Sequence, residues 1–144
     1  MKLRTLFITG AAALTLGVAF TPAHAGSYVS IEQSGYGNAT GVGQHGRKNR
    51  ATLYQRGRVN TAISGQTGYR NKVVIGQQGV RNSGTAYQHG RGNIAGIAQF
   101  GRDHTAVTAQ DGHGNAIGVI QAGRGNHANV SQAGRGNISV VVQD

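Results

Sequence analysis

A glutamine recurs every eleven residues along most of the chain, and this period constrains the fold more than any other feature. The run begins at Gln33 and ends at Gln143 without a gap. A glycine follows two residues after each of the first ten glutamines, and an asparagine follows five residues after nine of them, with His104 as the single exception. Repetition at a fixed period is the signature of a repeat architecture, so we expect function to reside in the array rather than in one pocket.

The first 25 residues resemble a secretory signal. Two basic residues precede an apolar stretch over 6–20, and Ala23-His24-Ala25 has the small-x-small pattern of a cleavage site. The stretch is too short for a membrane helix, and no later segment has about 20 continuous apolar residues. We therefore predict a signal peptide over 1–25 and one secreted domain over 26–144.

The predicted mature segment lacks the residues of an ordinary globular core. It has one leucine, Leu53, and no cysteine, tryptophan, methionine or proline. Its composition resembles that of a disordered polar chain, but random low-complexity sequence does not keep three residue types in register over ten copies. Without the two basic residues of the signal, 12 Lys and Arg stand against four acids, a formal charge of 12 − 4 = +8. This charge favours contacts with anionic surfaces, polysaccharide or extracellular nucleic acid, or alternatively serves solubility during export.

An eleven-residue period fits either a helix or a strand with a turn. Eleven residues make three helical turns, the repeat of a right-handed coiled coil. Each unit, however, carries glycine, which costs roughly 1 kcal/mol relative to alanine in a helix, and there is no leucine seam. Over 49–55, Asn, Ala, Leu and Gln alternate with Arg, Thr and Tyr, so a strand would separate them onto two faces. Because the Asn–small–aliphatic–Gln pattern recurs and the other set varies, we predict that the regular face is buried.

The sequence therefore predicts an all-β fold, a two-sheet parallel β-solenoid. Each unit supplies a strand and a turn whose glycine has a positive φ. Two units make a 22-residue rung with two facing parallel sheets, giving five and a half rungs. The predicted strands are 27–33, 38–44, 49–55, 60–66, 71–77, 82–88, 93–99, 104–110, 115–121, 126–132 and 137–143.

Stacked rungs would place identical residues about 4.8 Å apart. Buried amides would then form ladders in which each amide bonds the amides above and below, avoiding roughly 1–3 kcal/mol for each unpaired interior amide. The predicted ladder glutamines are Gln33, Gln44, Gln55, Gln66, Gln77, Gln88, Gln99, Gln110, Gln121, Gln132 and Gln143. The predicted ladder asparagines are Asn38, Asn49, Asn60, Asn71, Asn82, Asn93, Asn115, Asn126 and Asn137.

The repeat unit resembles that of a known family. Residues 44–55 have the pattern Gln-x-Gly-x-x-Asn-x-Ala-x-x-x-Gln, which recurs from Gln55, Gln88 and Gln121 as far as the alanine. This unit resembles the curlin repeat of the bacterial curli amyloid subunits, over residues 27–143. The resemblance implies an exported subunit that polymerises outside the outer membrane into amyloid fibres, for biofilm matrix and adhesion. It also implies as partners further copies of the chain, a second curli subunit, an export pore and periplasmic chaperones.

Two features leave the type of subunit open. Family members commonly carry a Gly/Asn-rich export segment, whereas only Gly26 separates the predicted cleavage site from the first repeat. The resemblance therefore does not fix the export route. The excess of arginine resembles the minor, nucleating subunit, whereas the regular final repeat at 137–143 resembles the major subunit.

The sequence shows no constellation suited to catalysis. The four acids are scattered, and no motif pairs them for acid–base chemistry. His45 and His89 share a turn position but lack a His-x-His or carboxylate partner for a metal. We therefore expect no enzyme activity, no metal and no cofactor. Arg-Gly pairs with tyrosines are typical of some RNA-binding segments, but the signal sequence and the strict phase argue against a specific nucleic-acid partner.

Arginines recur in the predicted turns. Alternate turns would fall on opposite edges of the solenoid, so neighbouring arginines would repel by about 1 kcal/mol per pair in water. We predict that they act as gatekeepers, which slow self-association and make it sensitive to salt and to polyanions. A solvated edge without a partner is the alternative. The predicted gatekeepers are Arg47, Arg58, Arg91, Arg102, Arg124 and Arg135.

The two terminal strands are predicted to remain open. Neither 27–33 nor 137–143 is interrupted by proline, and such strands expose unpaired N–H and C=O groups. The run at 138–142 is the most β-prone in the chain. The predicted polymerisation edge consists of Ile138, Val140, Val141 and Val142. The competing hypothesis is a monomeric solenoid adhesin that binds anionic polysaccharide through its arginine-rich turns.

Overall fold

The computed structural model describes residues 26–144, which form eleven strands. The strands are β1 (Tyr28–Tyr36), β2 (Ala39–Arg47), β3 (Arg50–Arg58), β4 (Thr61–Tyr69), β5 (Lys72–Val80), β6 (Ser83–Arg91), β7 (Ile94–Arg102), β8 (Thr105–His113), β9 (Ala116–Arg124), β10 (His127–Arg135) and β11 (Ile138–Gln143). The signal peptide predicted over 1–25 lies outside the described residues. Within 26–144, no helix is long and apolar enough to cross a membrane.

The strands coil into two facing parallel sheets, which confirms the predicted β-solenoid. The odd-numbered strands form sheet A in the order β1-β3-β5-β7-β9-β11, and the even-numbered strands form sheet B in the order β2-β4-β6-β8-β10. Paired residues are 22 apart along the chain; for example, Gln55 pairs with Gln77 and Gln66 with Gln88. One rung therefore contains one strand of each sheet, as the period predicts.

The strands extend further than the sequence predicted. The unit predicted as 49–55 forms a strand over Arg50–Arg58, and its glycine, Gly57, lies inside that strand with φ +123°. Gly57 still pairs with Gly79 of the next rung. The positive φ bends the strand without interrupting the hydrogen-bonded ladder, so the prediction that the strand ends at glutamine was wrong. The turn itself is only Val59-Asn60.

A second position in each unit also has a left-handed backbone. The residue before each asparagine, or before His104, has a positive φ in all ten turns. Glycine holds this position in five turns, and in the others it is Lys48, Val59, Arg70, Arg81 and Asp103, with φ between 55° and 62°. A β-branched residue such as Val59 is uncommon there, and the turn is held by its N–H, which donates to Tyr36 O at 2.9 Å.

The core lies between the regular faces of the two sheets, which are buried in the central rungs. Sheet A contributes the larger aliphatic side chains: Leu53, Ile75, Ile97 and Val119 are all nearly inaccessible to solvent. In the middle strands of sheet B the same position holds smaller residues, Ser64, Ala86 and Thr108, whereas the outer strands β2 and β10 carry Val42 and Val130 there. The sheets thus pack large side chains against small ones. Among the described residues, the buried hydroxyls of Ser64 and Thr108 have no hydrogen-bond partner.

Candidate functional site

Glutamine side chains form a continuous hydrogen-bonded column inside each sheet. Each Nε2 donates to the Oε1 of the glutamine 22 residues later, at distances of 2.7–3.1 Å. The sheet A column contains Gln33, Gln55, Gln77, Gln99, Gln121 and Gln143. The sheet B column contains Gln44, Gln66, Gln88, Gln110 and Gln132. All the donors point the same way, so each column has an acceptor end at β1 or β2 and a donor end at β10 or β11.

Most glutamines also donate a hydrogen bond across the interior to the facing sheet. In β3, Gln55 Nε2 donates to Ala39 O of sheet B at 3.0 Å, and in β5, Gln77 Nε2 donates to Thr61 O at 2.8 Å. Both hydrogens of the amide are therefore used, one along the column and one across the interior. The sequence predicted the column but not this cross-sheet bond, because strand alternation alone does not show what the second N–H reaches.

Replacing one buried glutamine tests how much the glutamine column contributes to the stability of the fold. Replacing Gln77 with leucine leaves Gln55 Nε2, Gln99 Oε1 and Thr61 O each without one partner. We expect the free energy of unfolding to fall by about 2–4 kcal/mol, because a buried polar group left unpaired costs about 1–3 kcal/mol. Gln78→Leu is the matched control, because Gln78 is exposed on the outer face and its loss should change stability by less than about 0.5 kcal/mol. Urea denaturation of both variants measures the difference, and equal losses would contradict the structural role of the column.

Apart from one bond, which Asn60 Nδ2 donates to Asn38 Oδ1 at 3.2 Å, the asparagines differ from the expected amide-to-amide pattern. Asn49 Oδ1 accepts the backbone N–H of Asn71 at 3.0 Å, and Asn49 Nδ2 donates to the backbone oxygens of His45 and Gly68, both at 3.1 Å. The other central asparagines repeat most of this pattern. The turn position explains it, because there the short side chain reaches backbone groups left free by the change in chain direction. The asparagines therefore join successive turns through the backbone.

His104 replaces asparagine in one turn and is fully buried. Its Nε2 lies 3.2 Å from Phe100 O, and its Nδ1 lies 3.2 Å from the backbone nitrogen of Asn126. In the neutral Nε2–H tautomer the ring donates to Phe100 O and accepts the Asn126 N–H. It therefore reproduces two of the asparagine contacts, but it does not provide the bond that asparagine elsewhere donates to a glycine carbonyl in the adjacent rung.

Restoring the asparagine should stabilise the solenoid. His104→Asn adds an Nδ2–H that can reach Gly123 O, in the way that Asn82 Nδ2 reaches Gly101 O at 3.2 Å. We expect a gain of about 1 kcal/mol, the net value of one protein hydrogen bond. The reciprocal change, Asn93→His, should destabilise the fold. Thermal unfolding of both variants provides the measurement, and a gain from Asn93→His would contradict this account of the turn.

Both ends of the solenoid present free strand edges. Among the described strands, β1 and β2 have neighbours on one side only, as do β10 and β11. On β11, Ile138, Val140 and Val142 lie on the outer face and are 79%, 68% and 68% exposed, whereas Val141 lies on the inner face and is half-buried. The predicted polymerisation edge thus combines three outward side chains with one that continues the core.

The backbone of β11 has an ordered set of groups at its free edge. In a parallel sheet, alternate residues direct their N–H and C=O groups to opposite neighbours. The Ala116 N–H donates to Asn137 O, towards β11. Ile138, Val140 and Val142 occupy the equivalent positions one rung later and therefore direct their N–H and C=O groups away from β9, while Val141 directs its groups to β9.

The two turn edges carry different charge. At the ends of the even-numbered strands, the ring of Tyr69 has Lys48, Arg70 and Arg91 at 5.7, 5.1 and 5.3 Å from its centroid. A cleft on this edge is lined by Arg70, Arg91, Gly92, His113, Gly114 and Arg135. None of its lining residues is acidic. The predicted gatekeepers Arg47, Arg91 and Arg135 lie on this edge.

At the ends of the odd-numbered strands, an acid offsets part of the charge. Asp103 accepts from Arg81 at 2.7 Å and lies 3.7 Å from Arg124. The hydrogen bond from Arg81 lowers the pKa of the Asp103 carboxyl below its ordinary value. A lowered carboxyl pKa means that the pair stabilises the fold near neutral pH and that this contribution is lost as acid protonates Asp103. Three of the predicted gatekeepers lie on this edge. Arg102 and Arg124 are opposite each other in the register of adjacent strands, whereas Arg58 is opposite Val80.

The histidines considered for metal binding do not converge. His45 pairs with Thr67, and Thr67 pairs with His89, so one rung separates the two rings. His89 Nδ1 lies 3.0 Å from Asp111 Oδ1 on the outer face of sheet B. Within 26–144, no three His, Cys, Asp or Glu side chains are grouped so that they could hold a metal ion.

The family of the chain follows from a match that covers most of this array. The curlin associated repeat matches residues 26–57, 46–79, 81–110 and 105–134. The chain belongs to the curlin repeat family. Curlin proteins are structural, non-enzymatic subunits of extracellular fibres. A comparison with curated protein sequences gives no match. The curlin repeats of this chain correspond to the strand-and-turn units that carry the glutamine columns and the asparagine turns.

Proposed function

We propose that this curlin repeat chain assembles head to tail into extracellular curli-type amyloid fibres that contribute to biofilm matrix and surface adhesion. The observation that carries the proposal is the polarity of the glutamine columns. Gln33 and Gln44 each keep an Oε1 that accepts no hydrogen bond among the described residues, while the opposite end carries the Nε2 groups of Gln132 and Gln143. The donor end of one copy therefore matches the acceptor end of the next.

The strand edges favour the same direction of growth. The free N–H and C=O groups of β11 need a parallel partner strand, and β1 and β2 provide parallel strands with a matching eleven-residue period. Exposed edges of this kind are templates for pairing with another chain. Identical strands stacked in register give cross-β fibres, in which side-chain amide columns add to the backbone ladder.

The test is direct assembly of purified residues 26–144. We expect unbranched fibres in negative-stain electron microscopy and a rise in thioflavin fluorescence that pre-formed fibres accelerate. A chain that remains monodisperse at concentrations where other curlin proteins polymerise would contradict the proposal. Loss of surface fibres and of biofilm from cells that lack the chain would extend the result to its cellular role.

The paired arginines are proposed to slow this assembly. Arg102 and Arg124 are neighbours in register, and the nearby carboxylate of Asp103 is already bonded to Arg81 at 2.7 Å and lies 3.7 Å from Arg124. We expect fibre growth to accelerate between low salt and about 0.5 M salt, because the screening length contracts severalfold over that range. Arg124→Gln should reduce this acceleration, whereas Arg56→Gln, on the exposed outer face of β3, is the matched control. Fibre growth rates that do not change with salt concentration would contradict the proposed gatekeeper role of these arginines.

One observation favours a second candidate, a monomeric adhesin for anionic polysaccharide. The cleft beside Tyr69 gathers Arg70, Arg91 and Arg135 without an acidic lining residue. Arginine forks suit carboxylate and sulfate groups. The electron microscopy above separates the candidates, because the adhesin predicts polysaccharide binding by a chain that forms no fibres.

A further inference from the structure

We propose that successive copies in the fibre are related by a half-turn about the fibre axis, with β1 of each copy on β10 and β2 on β11 of the copy before it. The inference rests on the proposed head-to-tail assembly and specifies the surface that one copy presents to another. The alternative keeps the copies in the same orientation and places β1 on β11.

The strand order shows which arrangement closes both sheets. At one end of the solenoid, β11 is the last strand of sheet A and β10 is the last strand of sheet B, half a rung lower. The next position in the coil therefore lies above β10. Placing β1 there and β2 above β11 continues both sheets without interruption. Placing β1 above β11 leaves one strand position empty in sheet B, so that the edges of β10 and β2 face a gap with unpaired backbone groups.

Side chains on the outer face distinguish the two arrangements independently. The exposed row Ile138, Val140 and Val142 of β11 would lie beside Ala39, Gly41 and Gly43 of β2 in the half-turn arrangement. At Gly41 and Gly43 the space that a side chain would occupy is empty. The branched side chains of β11 can therefore cover these glycines and lose exposed apolar surface.

A contact of this kind already exists within one copy. A side chain added at Gly65 would collide with the ring of Tyr87, which lies in the next strand of sheet B and leans over the glycine. Val140 similarly lies beside Gly118 of β9, 4.0 Å from the position of an added Cβ. In both contacts the covering side chain belongs to the later strand, whereas Gly76, which follows Tyr54 in register, stays open.

The other arrangement makes a poorer outer face. With β1 on β11, Glu32 would lie beside Val142, and Ser30 beside Val140. Burying part of a carboxylate against valine without a cation is unfavourable. With β1 on β10, Glu32 lies beside Ser131 and Ser30 beside Asn129, so polar groups meet polar groups.

The inner face and the edge also match in the half-turn arrangement. Thr40 and Val42 of β2 fall on Ser139 and Val141 of β11, and Gln44 falls on Gln143, so the column continues. At the edge, Tyr36 falls on Arg135. A tyrosine–arginine pair in the opposite order occurs inside the copy, where Arg91 follows Tyr69 in register and its guanidinium lies 5.3 Å from the ring centroid.

Cysteine pairs test the arrangement against a clean background, because the chain contains no cysteine. Fibres of the variant G43C/V142C should form intermolecular disulfides on mild oxidation, because stacked positions about 4.8 Å apart lie within the Cα separation of about 4.4–6.8 Å that a disulfide allows. Fibres of E32C/V142C should not, because Glu32 would then lie on the opposite outer face. V142C alone is the control for random cross-linking.

The outcomes separate this inference from the proposed function. Absence of fibres from the wild-type chain would overturn the proposed assembly itself. Cross-linking of E32C/V142C, alone or together with G43C/V142C, would overturn the half-turn while leaving the assembly intact. Fibres in which neither pair cross-links would have the same consequence. Cryo-electron microscopy of wild-type fibres is a second measurement without substitutions. With strands about 4.8 Å apart in each sheet, the half-turn arrangement predicts a half-turn and a rise of about 26 Å per copy. The arrangement without rotation predicts a rise of about 29 Å per copy.

Discussion

Replacing Gly79 with alanine should destabilise the solenoid more than the same change at any other glycine of the strands. Gly79 has φ +134°, a conformation that residues with a side chain rarely adopt. A Cβ at this position would also overlap the carbonyl oxygen of Gly101 in the next rung. Backbone strain costs about 1–3 kcal/mol and overpacking another 1–3 kcal/mol, so we expect a loss of about 2–6 kcal/mol in the free energy of unfolding.

The matched control lies three residues earlier in the same strand. Gly76 has an ordinary backbone conformation and open space where a side chain would lie, so Gly76→Ala should leave stability nearly unchanged. Urea denaturation followed by circular dichroism compares the two variants. Similar midpoints for Gly79→Ala and the wild-type chain would show that Gly79 and Gly101 of adjacent rungs are not as close as the structure indicates.

Replacing Val140 with proline should abolish elongation through the β11 end. The Val140 N–H points away from β9, so its loss removes a hydrogen bond that only an incoming copy would make. The proline ring also obstructs the approach of the next strand. We expect fibre growth from wild-type seeds to slow by more than about tenfold, which corresponds to a loss of about 1.4 kcal/mol or more at the joint.

Two further substitutions make this result specific to the free edge. Val140→Thr keeps the N–H and the branched shape, so it should elongate at close to the wild-type rate. Val141→Pro should also block elongation, but it removes an N–H that faces β9 and therefore also weakens the subunit itself. Thioflavin-monitored growth on sheared seeds measures all three variants, and unchanged growth of Val140→Pro would exclude β11 as the growing edge.

Periodicity was sufficient to predict the sheets, the register and the buried face. The spacing of Gln55 and Gln77 is one rung, and the structure pairs them. The strand ends were mispredicted because glycine with positive φ is usually a turn residue, whereas Gly57 bends a strand that continues. The left-handed conformation at Val59 was not predictable from residue type, because valine itself disfavours it.

The contacts of the amides were only partly predictable. Stacking at a fixed spacing implies that one glutamine reaches the next, as Gln77 does with Gln99. The bond from Gln77 to Thr61 O depends on the separation and offset of the two sheets, which the period does not determine. The backbone bonds of Asn49 depend on a turn of only two residues, whereas the spacing from glutamine to asparagine predicts a turn of four.

Fibre diffraction from assembled residues 26–144 tests the central claim most directly, namely that amide columns and open strand edges continue from one copy into the next. Continuous columns and sheets should give a meridional reflection near 4.8 Å and an equatorial reflection near 10 Å, the spacings of stacked strands and packed sheets. A chain that yields no ordered polymer, or fibres whose diffraction lacks the 4.8 Å reflection, would contradict the central claim.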